Sequence, residues 1–377
     1  MYFSSIDVLR GISILLVLLH HFNIPYKLHT TFLGVPFFGE PLSALIARNG
    51  NYGVTMFFVI SGFLITQQSL KRYGQLSKVN IAGFYIRRIA RIIPNLVLLV
   101  VCVSILGCFD LPPFVNHAPN GVEVSFGKTV FAAFTFWMNI LIIHYGWVNY
   151  ALGVLWSLSV EEVFYLAFPI LCLLTRRTAI FVILLCAIIA YAPYFRSLYF
   201  LDENEAYLYH YFSSFDAIAI GCLTALLWQN IDIRWLAKKW VQLCISVLLI
   251  LLYCYAPIKE VSTWSMTVFA CLTATLILSF KANALKEKVN QVQVFWKSTL
   301  AWLGKRSYEL YLFHLIILGL IKVFFIPAQT SSGMKLILLI VFFIASCLLV
   351  TLIEKYYAAP LNRKIRLWFL GEEKSKI

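Results

Sequence analysis

Eleven apolar runs, separated by short polar punctuation, dominate this sequence. They lie at roughly 6–24, 53–70, 94–109, 128–144, 156–174, 178–194, 211–228, 240–255, 262–279, 308–326 and 335–353. A bilayer core takes about 20 residues of helix, and each backbone polar group there must be satisfied within its own helix. Composition supports the membrane reading. The 377 residues are 61% hydrophobic and 13% charged, against about 45–50% and about 25% in soluble domains. A soluble globule would expose large apolar patches, and disorder is excluded by the same figures. The expected fold is an all-α polytopic membrane protein, with about ten transmembrane helices plus a re-entrant or interfacial segment near 128–153. With no internal repeat or linker, residues 1–360 read as one membrane domain and 361–377 as a basic cytoplasmic tail.

The count of ten comes from charge. The formal net charge is +14, and eighteen of the 31 Lys and Arg residues fall in segments 71–91, 281–306 and 355–376, each beside an apolar run. Short basic loops mark the cytoplasmic face of a membrane protein rather than a nucleic-acid surface. Placing these segments and the Arg176-Arg177 pair on one side leaves a parity error between residues 110 and 178 if all eleven runs cross. Run 128–144 contains Lys128 and Asn139 and leads into the polar, aromatic stretch 144–153, so it is the one expected not to cross. Non-helical backbone at membrane depth survives only against protein or a watery cavity, and this segment should therefore border the active cavity. Both termini are then cytoplasmic. The first run lacks a small-residue cleavage site and reads as a retained span. The nine cysteines lie mostly in apolar runs without metal-ligand spacing and read as packing residues.

Ionisable residues inside spans are costly and usually mark function. Arg10 opens the first run, and His20 and His21 close it. Eleven positions separate Arg10 from His21, which puts them about 20° apart in rotation and about 16 Å apart along the axis. The alternative is a snorkelling arginine and a histidine satisfied by a neighbouring helix. Ser61-Gly62, inside GVTMFFVISGFLIT, reads first as a small-residue helix contact. Arg88 and Arg91 are an i, i+3 pair on a short cytoplasmic helix; they suit either lipid headgroups or a phosphorylated donor. Glu161 and Glu162, in WSLSVEEVFYL, diverge by about 100°, so one faces the cavity, and an ion pair with Arg10 is the structural alternative. Asp216 reads equally as structure or function. His314 is a second intramembrane histidine beside Tyr308 and Tyr311. His29, His117, His144 and His210 fall in loops or at span edges. No metal-binding, phosphate-loop or nucleophile-elbow motif occurs.

Several of these segments, in order, resemble the acyltransferase-3 family of integral-membrane acyltransferases. They are LRGISILLVLLHH with its Arg-x10-His spacing, GVTMFFVISGFLIT, FYIRRIARIIP, WSLSVEEVFYLAFP, FDAIAIGCL and RSYELYLFH, spanning about residues 5–355. Each is weak alone; the ordered set is specific. One departure lies near the end, where the family often has Glu-Arg-Pro and this chain reads Glu354-Lys355-Tyr356-Tyr357-Ala358-Ala359-Pro360, so no role is carried onto Glu354.

The resemblance implies acyl transfer, commonly of acetyl from acetyl-coenzyme A, to a hydroxyl of a cell-surface or lipid-linked carbohydrate. The place implied is the bacterial cytoplasmic (inner) membrane. Some members carry a fused SGNH-type domain; with the sequence stopping at Ile377, the stand-alone form is expected, with transfer completed in the membrane domain or by a partner. Arg88, Arg91 and Arg10 would meet the donor's phosphates, and no metal is expected. His21 would be the general base, with an acetyl-histidine intermediate as the alternative. Glu161 or Glu162 would fix the histidine tautomer or hold the sugar, and His314 would help position the reactants. Acetyl-CoA, the glycan acceptor and membrane lipid are the expected partners, with nucleic acid excluded. Two rivals stay open: a transporter or flippase without covalent chemistry, and an acyltransferase acting on a small natural product.

Overall fold

The computed structural model describes residues 4–37, 39–175, 177–230, 234–286 and 295–371. Its helices are α1 (Ser4–Tyr26), α2 (Leu42–Ala47), α3 (Asn51–Tyr73), α4 (Ile81–Gly107), α5 (Phe126–Phe134), α6 (Met138–Tyr145), α7 (Leu155–Thr175) and α8 (Thr178–Leu198). They continue with α9 (Ala206–Tyr209), α10 (Tyr211–Asn230), α11 (Lys239–Tyr255), α12 (Ile258–Lys286), α13 (Phe295–Lys305), α14 (Ser307–Phe324), α15 (Ser332–Ile353) and α16 (Ala359–Leu370). Among the described residues, nine helical segments are long and apolar enough to cross a membrane, one fewer than the ten expected; α11 is apolar but shorter. The chain is an all-α polytopic membrane protein. Arg176, the segment 287–294 with Lys288, and Lys374 and Lys376 of the expected basic regions lie outside the described residues.

The run 128–144 is broken. Helices α5 and α6 have 9 and 8 residues, about 14 and about 12 Å of rise, and neither reaches across about 30 Å of hydrocarbon. Gly146, at φ 78°, ends α6 in a backbone region that glycine enters at no steric cost. The chain then runs without regular helix to residue 154. Several of its polar groups are met by protein. Asn149 donates through Nδ2 to Asn116 Oδ1 (3.0 Å) and accepts from the Leu152 amide (3.0 Å), and the His117 amide donates to Val148 O (2.7 Å).

The basic turn carrying Arg88 and Arg91, expected as a separate short helix, is instead continuous with the following span as α4, with Pro94 inside. Asn80 caps its start by accepting from the Gly83 amide at 2.8 Å. Proline removes one helical donor, yet carbonyls around it are served from side chains. Asn95 Nδ2 donates to Arg91 O (3.3 Å), and the Tyr357 hydroxyl donates to Pro94 O (3.1 Å).

The chain divides into two compact units. The first comprises residues 1–16, 49–79 and 160–305; the second comprises 17–48, 80–159 and 306–377. In the first, α3 and α10 pack most intimately, because Gly62 on α3 lies against the Ile218 carbonyl and Gly221 on α10 against the Val59 carbonyl, where a Cβ would collide. The Ser61-Gly62 pair thus includes the small-residue contact the sequence suggested. In the second unit α14 packs against α15 and α4, and α16 lies along α4. Between α15 and α16 the helix passes through a π-helical turn, Glu354–Ala358, so the expected tail begins as helix.

Candidate active site

In the second unit the segment RSYELYLFH forms the first turns of α14 and buries His314 completely. The His314 Nδ1 lies 3.0 Å from Leu310 O and 2.8 Å from Tyr311 O. A carbonyl only accepts, so Nδ1 carries the proton and Nε2 the lone pair. That Nε2 is buried with no hydrogen-bond partner among the described residues. His21, half-buried on α1, is held the same way, its Nδ1 donating to Val17 O at 2.9 Å. Both rings therefore use Nδ1–H on their own helix, one turn back, and keep Nε2 for something else. Their centroids are 4.9 Å apart. His20 stacks edge-on to His21 at 5.6 Å and turns its Nδ1 to Ala47 O at 3.0 Å.

One turn before His314, Tyr311 meets the start of α7. Ser157 donates to the Tyr311 hydroxyl at 2.6 Å, and that hydroxyl donates to Val154 O at 3.0 Å. At the first turn of α14, the exposed Arg91 guanidinium lies 5.6 Å from the Tyr308 ring centroid, a cation–π contact. Arg88, one turn earlier on α4, is half-buried. Arg306 and Glu354 form an ion pair, with Nε 2.7 Å from Oε2, so this glutamate holds an arginine just ahead of α14.

The first unit contains the other candidates. Arg10 meets Asp7, one turn earlier on α1, at 3.4 Å. Glu161 and Tyr165, four apart on α7, face the same way and both meet the Ser61 hydroxyl on α3; Tyr165 also donates to Glu161 Oε1 at 2.5 Å. Glu162, on the next face, is buried. Asp216 is part of a cluster the sequence reading missed. Its Oδ2 accepts from Arg196 Nη1 and Nη2, both at 3.1 Å, and from Thr267 at 2.5 Å, while Oδ1 accepts from the Ala217 amide at 2.9 Å. Arg196 spends its remaining donors on Ser213 O (2.5 Å), Thr263 O (3.2 Å) and Thr267. The only signal for that partner was an arginine at the end of an apolar run, which looks like any span boundary.

The second unit therefore brings His21 and His314 together and sets Arg91 at the start of the helix that carries His314. The His21 tautomer is fixed by Val17, a task that needs no glutamate.

Comparison with known proteins bears on the chemistry. A family model described as an acyltransferase domain matches residues 3–354. A protein of Staphylococcus aureus (strain COL), provisionally named an O-acetyltransferase, is 24% identical over 343 residues, 87% of this chain and 52% of that protein. The O-acetyltransferase OatA of Staphylococcus aureus (strain NCTC 8325 / PS 47) is 20% identical over 375 residues, 96% of this chain and 58% of OatA. The chain spans little more than half the length of these relatives. No solved structure matches it. With the model covering nearly its whole length and all the ordered motifs, the chain belongs to the acyltransferase-3 family of integral-membrane proteins.

Proposed function

We propose that this protein is a membrane O-acetyltransferase that moves an acetyl group from cytoplasmic acetyl-coenzyme A to a hydroxyl of a cell-surface or lipid-linked carbohydrate. The observation that carries this reading is His21: its Nδ1 proton is held by Val17 O, and its ring lies 4.9 Å from that of a buried second histidine. That leaves Nε2 as a base. Family membership supports acyl transfer, and the names of the relatives support an oxygen acceptor and an acetyl group.

The donor's phosphates meet Arg91 and Arg88, whose guanidinium forks suit phosphate oxygens; Arg10 has the same role by resemblance. The acceptor hydroxyl gives its proton to His21 Nε2 as its oxygen bonds to the thioester carbonyl carbon. The carbon–sulfur bond then breaks, and coenzyme A leaves as thiolate. The His21 imidazolium returns the proton to that sulfur, so the products are an O-acetyl ester and the free thiol. His314, whose Nε2 lone pair faces no partner among the described residues, helps hold the proton and the reacting hydroxyl. Basic loops support an inner-membrane orientation with cytoplasmic termini.

Membranes carrying His21→Ala should lose about 100- to 10,000-fold of transfer from labelled acetyl-coenzyme A, the usual scale of a general base, with protein level unchanged. Wild-type activity in that variant overturns the assignment.

A further inference from the structure

Lys322 lies in the last turn of α14, eight residues beyond His314, and has no part in the chemistry above. Its ammonium sits 3.8 Å from the centroid of the Tyr150 ring and makes no other hydrogen bond or ion pair among the described residues. The Tyr150 hydroxyl is buried and also lacks a partner among the described residues. A lysine near the end of a span ordinarily carries its charge out to water; this one folds its charge onto an aromatic face. The buried hydroxyl is thus left without a partner among the described residues, and the half-buried ammonium above its ring has no counter-charge there. Such groups are costly to leave unmade, and a single oxygen-rich anion would satisfy both.

The position is built rather than accidental. Tyr150 belongs to the non-helical stretch after α6, which Asn149 anchors through Asn116 and Leu152. The end of α14 is tied to α1 close by, where the Tyr26 hydroxyl donates to Phe325 O at 2.9 Å. Trp147, in the same stretch and 42% exposed, offers the kind of flat apolar face that a sugar ring covers. Along α14 the sites fall in order: Tyr308 with Arg91, then His314 with His21, then Lys322 with Tyr150. The first interval is about 9 Å and the second about 12 Å of helix rise. Donor phosphates and the Lys322 site therefore approach the imidazoles from opposite ends of one helix.

We infer that Lys322 and Tyr150 form an acceptor subsite that binds a negatively charged oxygen group of the glycan, a uronate carboxylate or a phosphodiester, and so select anionic acceptors. This rests on the acetyl-transfer reading. It makes Lys322 a specificity-determining residue and leaves the proton transfer to His21.

The test uses membrane vesicles carrying the full chain, labelled acetyl-coenzyme A, and label counted in precipitated envelope glycan per folded molecule. Folded protein is counted by detergent size-exclusion of a fluorescent fusion. Lys322→Met should lower glycan labelling about tenfold, equivalent to about 1.4 kcal/mol, with the KM for acetyl-coenzyme A within twofold of wild type. Lys322→Arg should restore most of it, and Tyr150→Phe should lose severalfold. Methyl glucuronide or glycerophosphoglycerol should compete with labelling in wild type but not in Lys322→Met, and whichever competes names the anion. Methyl glucoside should compete in neither. Unchanged labelling in Lys322→Met, no rescue by Lys322→Arg, or equal competition by methyl glucoside overturns the inference. Wild-type vesicles that label no glycan at all overturn the transfer reading itself, and the acceptor site with it.

Discussion

Two buried polar clusters in this protein look alike in sequence and differ in what they leave undone. In the first unit, Arg196 and Asp216 are 0% and 1% exposed, and each donor and acceptor between them is used, on each other, on Thr267 and on backbone. In the second unit, His314 is equally buried, yet its Nε2 faces no protein partner among the described residues. An ionisable group in a membrane span is a functional candidate by default. The comparison adds a criterion: a filled set of hydrogen bonds marks a rivet between helices, and an unfilled one marks a place where something else must bind.

The contrast can be broken by substitution. His21→Ala should remove activity on the scale given above while leaving the detergent melting temperature within a few degrees of wild type; a collapsed fold would move the histidines into the rivet class. Asp216→Ala should do the reverse. Removing one partner of a buried pair costs about 3–5 kcal/mol, read as a large loss of folded protein. The double variant Arg196→Met with Asp216→Leu should recover much of it, and no recovery would mean that the charges do more than hold helices together. Gly221→Ala tests an apolar rivet: its new Cβ would meet the Val59 carbonyl, and overpacking of this kind costs about 1–3 kcal/mol. Melting should fall with activity per folded molecule retained. The smallest effect belongs to Arg91→Ala, an exposed cation with one ring contact. It should raise the KM for acetyl-coenzyme A severalfold without changing kcat, and an unchanged KM would remove Arg91 from the donor site.

Much of the fold was legible because the membrane imposes a length and a polarity on each span. The failure of 128–144 to form one long helix followed from charge parity, and the break at Thr135–Trp137 between α5 and α6 is its physical form. The continuity of α4 was not legible, since Pro94 reads as a boundary until Asn95 and Tyr357 are seen to serve the carbonyls around it. For the candidate site, Arg-x10-His and the second histidine could be read, but the pairing of His21 with His314 spans almost 300 positions and has no local signature. The pairing of Lys322 with Tyr150 likewise has no local signature. Long-range side-chain pairs are set by how helices pack, and helices that are apolar all round carry little information about which face meets which neighbour. The sequence reads Glu161 or Glu162 either as fixing the His21 tautomer or as holding the sugar. The Val17 carbonyl holds the Nδ1 proton, an option open to any histidine in a helix and therefore invisible in spacing.

The π-helical turn at Glu354–Ala358 has a consequence for how the end of the chain tolerates change. A π turn is an α-helix that has absorbed one surplus residue, so the extra length is taken up locally and the helix beyond it keeps its facing. Deleting a single residue there would let the turn relax to α geometry and leave Arg363 and Lys364, both exposed, pointing nearly as before. The same deletion in the α-helical part of α15 would rotate all that follows by about 100° about the axis. Length is forgiven at that one turn.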